Sequence, residues 1–322
     1  MGITRRRFMA AVAGAVIGPV VGTRQARRGV AAEASGRWVR RASLPFPRTE
    51  VSVAALDGKV YVIAGYAHGR VDQPYTQVYD PQADAWRDLA PMPRGLNHVA
   101  VVGSRGRIWA LGGFVEQNRN AVAEAYVYDP AANRWERIAP LPAPRGAASA
   151  VELGGLLHLI GGRDQHSVGT HEVYDPTADR WSTRAPLPDP RDHMGLVVLD
   201  GRIHAVGGRF NTFANNRSAH HVYDPARDRW EDRAPLPKPR SGVAAAVLRG
   251  RIYVFGGEET GGVFADTDAY DPQADRWLAM APMPTPRHGT GAATVGAWIH
   301  VPAGGLTVGG SRPSDVHEAF QP

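Results

Sequence analysis

Residues 251–287 read RIYVFGGEETGGVFADTDAYDPQADRWLAMAPMPTPR, from Arg251 to Arg287. A β-branched and aromatic run ends in Gly256-Gly257. A loop follows, then Tyr270-Asp271-Pro272, then Trp277, then a closing Pro-x-Pro-Arg. The same unit recurs along nearly the whole chain. The closing Arg returns at Arg48, Arg94, Arg145, Arg191, Arg240 and Arg287, and the Trp at Trp38, Trp86, Trp135, Trp181, Trp230 and Trp277, a period of about 46 to 51 residues. Six copies at such a period indicate a repeat architecture.

Within each copy the punctuation is that of short strands. Dipeptides such as Asp57-Gly58, Asp200-Gly201 and Arg249-Gly250 read as two-residue hairpin turns. A small pair (Ala64-Gly65, Gly161-Gly162, Gly207-Gly208, Gly256-Gly257, Ala303-Gly304) closes a second strand, with the second copy slipping by two residues to Gly112-Gly113, which the spacing assigns to a longer hairpin at Gly103–Gly106. Asp-Pro after Tyr suits a type I turn, and an acidic or Asn residue stands four after that Asp at Asp84, Asn133, Asp179, Asp228 and Asp275. Four short antiparallel strands a–d per copy make one propeller blade. Trp38 has no strand b or c before it, and the last copy has no Trp after its strand c. The expectation is an all-β, six-bladed propeller closed by the N-terminal strand, which leaves no open inner edge.

The double glycine, the spaced Tyr and Trp and the closing basic turn resemble the kelch repeat, over residues 36–322. The resemblance implies a β-propeller. Its known exported members imply two kinds of enzyme beside many binding modules. One is the galactose-oxidase type, whose copper radical site needs a Cys cross-linked to Tyr; with no Cys in this chain that chemistry is excluded in its known form. The other is the periplasmic sialic-acid mutarotase, which implies a general acid and base beside an anion-binding Arg.

The first residues read differently from the repeats. Thr4-Arg5-Arg6-Arg7-Phe8-Met9 precedes an apolar run to Val21 that contains Gly14, Gly18 and Pro19. It is too short and Gly-rich to span a bilayer, and it looks like a twin-arginine export signal with a small-x-small site at Ala32-Glu33-Ala34. The expected division is 1–34 signal peptide and 35–322 propeller, in a periplasmic or extracellular monomer with no transmembrane segment after signal removal. The sequence pI is about 9.8, yet six of the 37 basic residues and only one of the 31 acidic ones lie in 1–34, so the remainder is near neutral. A nucleic-acid partner loses its electrostatic basis. The absence of Cys excludes disulfides and thiol chemistry.

Strand alternation places the b–c and d–a loops on one face. The turns of the other face repeat, whereas the b–c loops differ in every copy, as binding loops on a rigid scaffold do. The residue after the small pair changes character throughout: Tyr66, Phe114, Arg163, Arg209, Glu258 and Gly305. Strand a, expected to line the channel, begins with Glu50, Asn97, His98, Asp192, His193 and His288. The expected ligand-binding set is therefore Arg163, Arg209, Glu258, His288, His193, His98, Glu50, Arg191 and Arg287, at a channel mouth on the loop face. The repeated Arg residues have a competing role as hydrogen-bond donors to neighbouring carbonyls between blades. Glu258 with His193 or His288 could exchange protons if the protein is an enzyme. His158, His204 and His300 share a flat-ring column on strand b with Tyr61, Trp109 and Tyr253, and read as packing residues. No His pair has ligand spacing along the chain, so neither a metal nor another cofactor is expected. The chain reads first as an exported module that binds a small molecule, a glycan or an envelope protein, and second as a mutarotase-like acid–base enzyme.

Overall fold

The computed structural model describes residues 35–322; the expected export signal, 1–34, lies outside the described residues. Blade 1 shows the pattern. Ser52–Leu56 (strand a) turns at Asp57-Gly58 into Lys59–Ile63 (b), a long loop leads to Thr76–Asp80 (c), and Asp-Pro turns the chain into Ala85–Leu89 (d). Six such four-stranded antiparallel sheets form among the described residues. The sixth takes Ala293–Val295, Trp298–Pro302 and His317–Gln321 from the C-terminal end and Arg37–Arg40 from the N-terminal end, with Trp38 opposite Phe320. The six-bladed ring closed by the N-terminal strand is thus present as the repeats imply. Among the described residues no helix is long and apolar enough to cross a membrane.

Why the columns repeat is visible at the blade junctions. The acidic or Asn residue after each Asp-Pro turn has a left-handed backbone (φ 44–49°). Its side chain accepts the Tyr hydroxyl of its own blade and an Ala N–H of the preceding one, as Asp228 accepts Tyr223 at 2.6 Å and Ala185 at 2.9 Å. Trp230 Nε1 donates to the Ala185 carbonyl at 2.9 Å. The imidazoles extend this junction. His158 Nδ1 lies 2.8 Å from His171 Nε2, His204 from His220 at 2.9 Å and His300 from His317 at 3.0 Å. The second ring of each pair reaches the next carbonyl, His171 meeting the Ala185 oxygen. All six rings are buried, as packing residues should be.

Five of the six repeated Arg residues, Arg48, Arg145, Arg191, Arg240 and Arg287, are buried and point into the blades, not into the channel. Arg191 and Arg287 are fully buried, so neither belongs to a ligand-facing set. Arg287 donates to Glu318 at 2.6 Å and to the Val301 carbonyl at 2.8 Å, and Arg191 to the Ala205 carbonyl at 3.0 Å and His221 Nδ1 at 2.9 Å. The role as hydrogen-bond donors holds, but within each blade and not between blades, because strand b and strand c leave carbonyls and one polar side chain facing the guanidinium.

The second copy corrects the repeat register. Leu96 fills the place of the Arg: its carbonyl accepts from Gly65 as those of Arg145 and Arg191 accept from Gly113 and Gly162. Arg94 stands outside and pairs with Glu124 at 3.0 Å. No lengthened hairpin exists, since Ser104 pairs with Arg107 across a two-residue turn like the others. The apparent slip arises from counting from Arg94; Met92 already occupies the position of Leu141 and Met283. Blade 2 also exchanges the partner, placing Tyr126 where the other blades carry Gln77, Glu172, His221, Asp268 and Glu318.

Candidate functional site

Strand a lines an axial channel of about 570 Å³. Its inward positions alternate with buried ones, as the two-residue period of a strand requires, and are mostly Val, Ala and Leu with no aromatic ring. At the hairpin end these positions, such as Ala55, Val198 and Val247, are half-buried. At the loop end the channel closes.

The closure is a backbone ring. Glu50, His98, Ala147, His193, Gly242 and Gly289 each take one blade's place around the axis, with φ between 51° and 64°. His98 N–H donates to the Glu50 carbonyl, Ala147 to His98, His193 to Ala147, Gly242 to His193 and Gly289 to Gly242, at 2.9–3.2 Å. Val51 N–H completes the circuit to the Gly289 carbonyl at 3.3 Å. Glycine occupies this conformation freely, whereas other L-residues lose roughly 1–2 kcal/mol each. The chain nevertheless places Glu50, His98 and His193 here.

Those three side chains close the end of the channel and are 6%, 8% and 8% exposed. His98 Nε2 lies 3.1 Å from Glu50 Oε2, and the two imidazoles meet edge to face with centroids 4.8 Å apart. Each ring is oriented by the residue before it: His98 Nδ1 contacts Asn97 Oδ1, and His193 Nδ1 contacts Asp192 Oδ1. The Asn97 amide nitrogen is committed to Asp72 at 2.6 Å and to the Phe114 and Glu116 carbonyls, so its oxygen faces His98 and accepts from Nδ1. Behind His193, Arg209 donates to His193 Nε2 at 2.9 Å, to Glu258 at 2.6 Å and to Asp192 at 3.2 Å. His288 Nδ1 lies 3.5 Å from both Glu50 and Glu258, and its Nε2 meets the Thr307 carbonyl at 2.9 Å.

The charges within the cluster set the protonation of its members. Burial alone would raise the Glu50 carboxyl, but His98, then His288 and His193, hold it far below the carboxylate range. Burial likewise opposes the Asp192 carboxylate, and His193, Arg209 and Ser167 outweigh it. Burial, reinforced by Arg209, depresses His193 to about 4 against the pull of Asp192, so the ring is neutral at pH 7.

Six of the nine expected ligand-binding residues (Glu50, His98, His193, Arg209, Glu258 and His288) thus meet in one contiguous network. Arg163 does not join it, donating instead to the Asn211 carbonyl at 2.8 Å. The open mouth expected on the loop face is covered. Glu258 accepts from Gly309 N at 2.8 Å, Gln117 bridges Tyr66 and Gly309, and Asn216 holds the Glu258 carbonyl. Glu258 and His288 are almost wholly enclosed and do not border the channel, whereas Glu50 and His98 do. Asp192 and Asn97 emerge as the side chains that orient the two imidazoles. The lack of ligand spacing along the chain does not carry over into space, because three blades bring Glu50, His98 and His193 donors within 4.8 Å of one another.

Fold and site together define a class: a six-bladed propeller with a one-ended axial channel, a fold that serves as an interaction module. The chain belongs to the kelch-repeat family. The family model described as the KLHDC2/KLHL20/DRC7 Kelch-repeats domain matches residues 148–319, more than half of the chain, and the Kelch motif matches 47–93 and 96–142. Among similar proteins, the F-box/kelch-repeat protein At1g16250 of Arabidopsis thaliana is 38% identical over 27% of this chain and 24% of its own length. Kelch-like protein 35 of Mus musculus is 30% identical over 42% of this chain and 22% of its own. Beta-scruin of Limulus polyphemus is 30% identical over 27% of this chain and 10% of its own. The chain therefore spans a quarter or less of these relatives. A solved structure described as that of YjhT matches with a TM-score of 0.75 over 86% of this chain and 95% of that one at 16% identity, which shows the fold alone.

Proposed function

We propose that the protein is an exported module that binds a small ligand in its axial channel, with Glu50, His98 and His193 recognising the ligand's polar end. One observation carries the reading: three chemically active side chains occupy left-handed positions that Ala147, Gly242 and Gly289 fill elsewhere in the same ring. Backbone strain of that kind collects at functional sites. The wall supports an elongated ligand with an apolar flank, a glycan or another small molecule, that presents a donor or a positive charge to the Glu50 carboxylate. Export rests on the Arg5-Arg6-Arg7 leader. An envelope-protein partner would instead engage the variable b–c loops.

The test is a saturation-transfer NMR screen of glycans and small cations against wild type, Ala55→Trp, which fills the channel, and Glu50→Gln. Binding that weakens at least tenfold in both variants supports the reading; binding unaltered by either, or no binder, overturns it. Cell fractionation that finds the protein retained in the cytoplasm overturns export.

The acid–base reading draws on the Glu50–His98 pair at the end of the channel, not on Glu258 or His288. Exchange NMR on reducing sugars tests it: anomer exchange no faster with wild type than with Glu50→Gln removes it.

A further inference from the structure

We propose that Glu50, His98 and His193 form a binding site for a divalent first-row transition ion of the zinc class, with an open coordination position facing the axial channel. Two imidazoles and a carboxylate are the nitrogen and oxygen donors such an ion takes, and three protein ligands with a free fourth position is the pattern of a reactive site, not a structural one. The donors come from three different blades, and one atom of each lies within 4.8 Å of the others. Side-chain rotation closes that span to the roughly 3.4 Å between two ligands on a tetrahedral ion.

Three further observations point to a cation. The first is orientation. Asn97 and Asp192 hold the Nδ1 atoms of His98 and His193, which leaves Nε2 as the ligand atom of each, facing Glu50 in His98 and Arg209 in His193; a carboxylate or amide oxygen behind each ligating imidazole is the supporting shell metal sites use. The second is an unpartnered atom. His98 is buried, and its Nε2 has no hydrogen-bond partner although it faces Glu50 Oε2 at 3.1 Å. With Nδ1 committed to Asn97, Nε2 is the atom left to meet the carboxylate, through a shared proton or through a cation between them. The third is charge. Glu50, Asp192 and Glu258 bring three carboxylates to the network, and Arg209 brings one guanidinium. Carboxylates outnumber the guanidinium there, a balance that favours a cation. Arg209 Nη2 gives up His193 Nε2 to the ion and keeps Glu258 and Asp192.

The site deepens the ligand reading above, since the open position faces the same channel, but the two are separable. Isothermal titration of metal-stripped protein with Zn²⁺ alone, with no organic ligand, is expected to show one ion per chain. Affinity is expected to fall at least tenfold in His98→Ala and Glu50→Gln, while Ala55→Trp, which blocks an organic ligand, leaves zinc binding unchanged. Because a ring variant could fail to fold, Co²⁺ is titrated into wild type in parallel, where visible d–d bands of four- or five-coordinate intensity are expected. No zinc uptake by wild type, or uptake equal in His98→Ala, overturns the proposal. So does a ¹⁵N spectrum in the presence of zinc showing both nitrogens of His98 still protonated, for the balancing charges are then protons.

Discussion

Arg287 shows how a single side chain can look functional and be structural. Its guanidinium is fully buried, paired with Glu318 at 2.6 Å and bonded to the Val301 carbonyl. Removing one member of a buried ion pair leaves the other uncompensated, at about 3–5 kcal/mol. Blade 2 supplies the remedy, for Leu96 and Tyr126 stand in those two places without any charge. Arg287→Leu is expected to lose about 3–5 kcal/mol in urea unfolding, and the double variant Arg287→Leu/Glu318→Tyr to regain most of it. A double variant no more stable than the single one would show that the pair is not exchangeable as a unit. The Arg column was legible as a repeat but its direction was not. Spacing along a strand says that residues share a face without saying which face meets the axis, and the d–a connection turns every one of these Arg residues but Arg94 inward to strands b and c. Glu50, His98 and His193 were legible as polar residues at the start of a strand a that is otherwise mostly Ala, Val, Gly and Ser, whereas the ring they share with Ala147, Gly242 and Gly289 shows only in the backbone.

At the scale of the blade, the residue after the Asp-Pro turn joins each sheet to its neighbour. Asp228 has a left-handed backbone, accepts the Tyr223 hydroxyl and caps Ala185 N–H of the preceding blade. Asp228→Ala loses both acceptors and puts Ala at φ 47°, for an expected loss of about 2 kcal/mol. Asp228→Asn, the residue natural at Asn133, is expected to unfold within about 0.5 kcal/mol of wild type, because Asn both accepts and tolerates this backbone. Chemical denaturation of the two variants side by side checks this. The blade pattern was fully legible because every copy repeats the same junction. The coverage of the loop face was not, since contacts such as Gln117 with Gly309 join loops from blades far apart in the chain.

Around the whole ring, the paired imidazoles of blades 3, 4 and 6 make stability depend on pH. Burial depresses His158, His171, His204 and His300 to about 4, and His220 and His317 to about 3. Arg184, Arg233 and Arg41 lower them further, while Asp228, Asp275 and Asp84 oppose the shift. In the unfolded chain these groups titrate near 6.5. Between about 6.5 and 4 the unfolded state therefore binds protons that the folded state refuses. Stability is full above the unfolded value and falls as pH drops through that window, at about 1.4 kcal/mol per pH unit for each imidazole that stays neutral. Urea midpoints at pH 7.5, 6 and 5 are expected to fall in that order. The variant His158→Tyr/His171→Thr, which copies Tyr61 with Thr76 and Tyr253 with Thr267, is expected to flatten the slope by about a third. An unchanged slope would place the dependence elsewhere.

The circuit of amides at the closed end of the channel has an electrostatic consequence. Its donors run head to tail from Glu50 around to Gly289, so the peptide dipoles in that plane circulate and largely cancel. A helix end, by contrast, adds its dipoles along one axis and carries a fixed polarity. The closed end has no such built-in sign from its in-plane backbone, and its potential is whatever the six residues in the circuit and their partners supply. Residues with carboxylate, imidazole, methyl or no side chain already share the same links, so the polarity of the site can be rewritten one blade at a time on an unchanged frame.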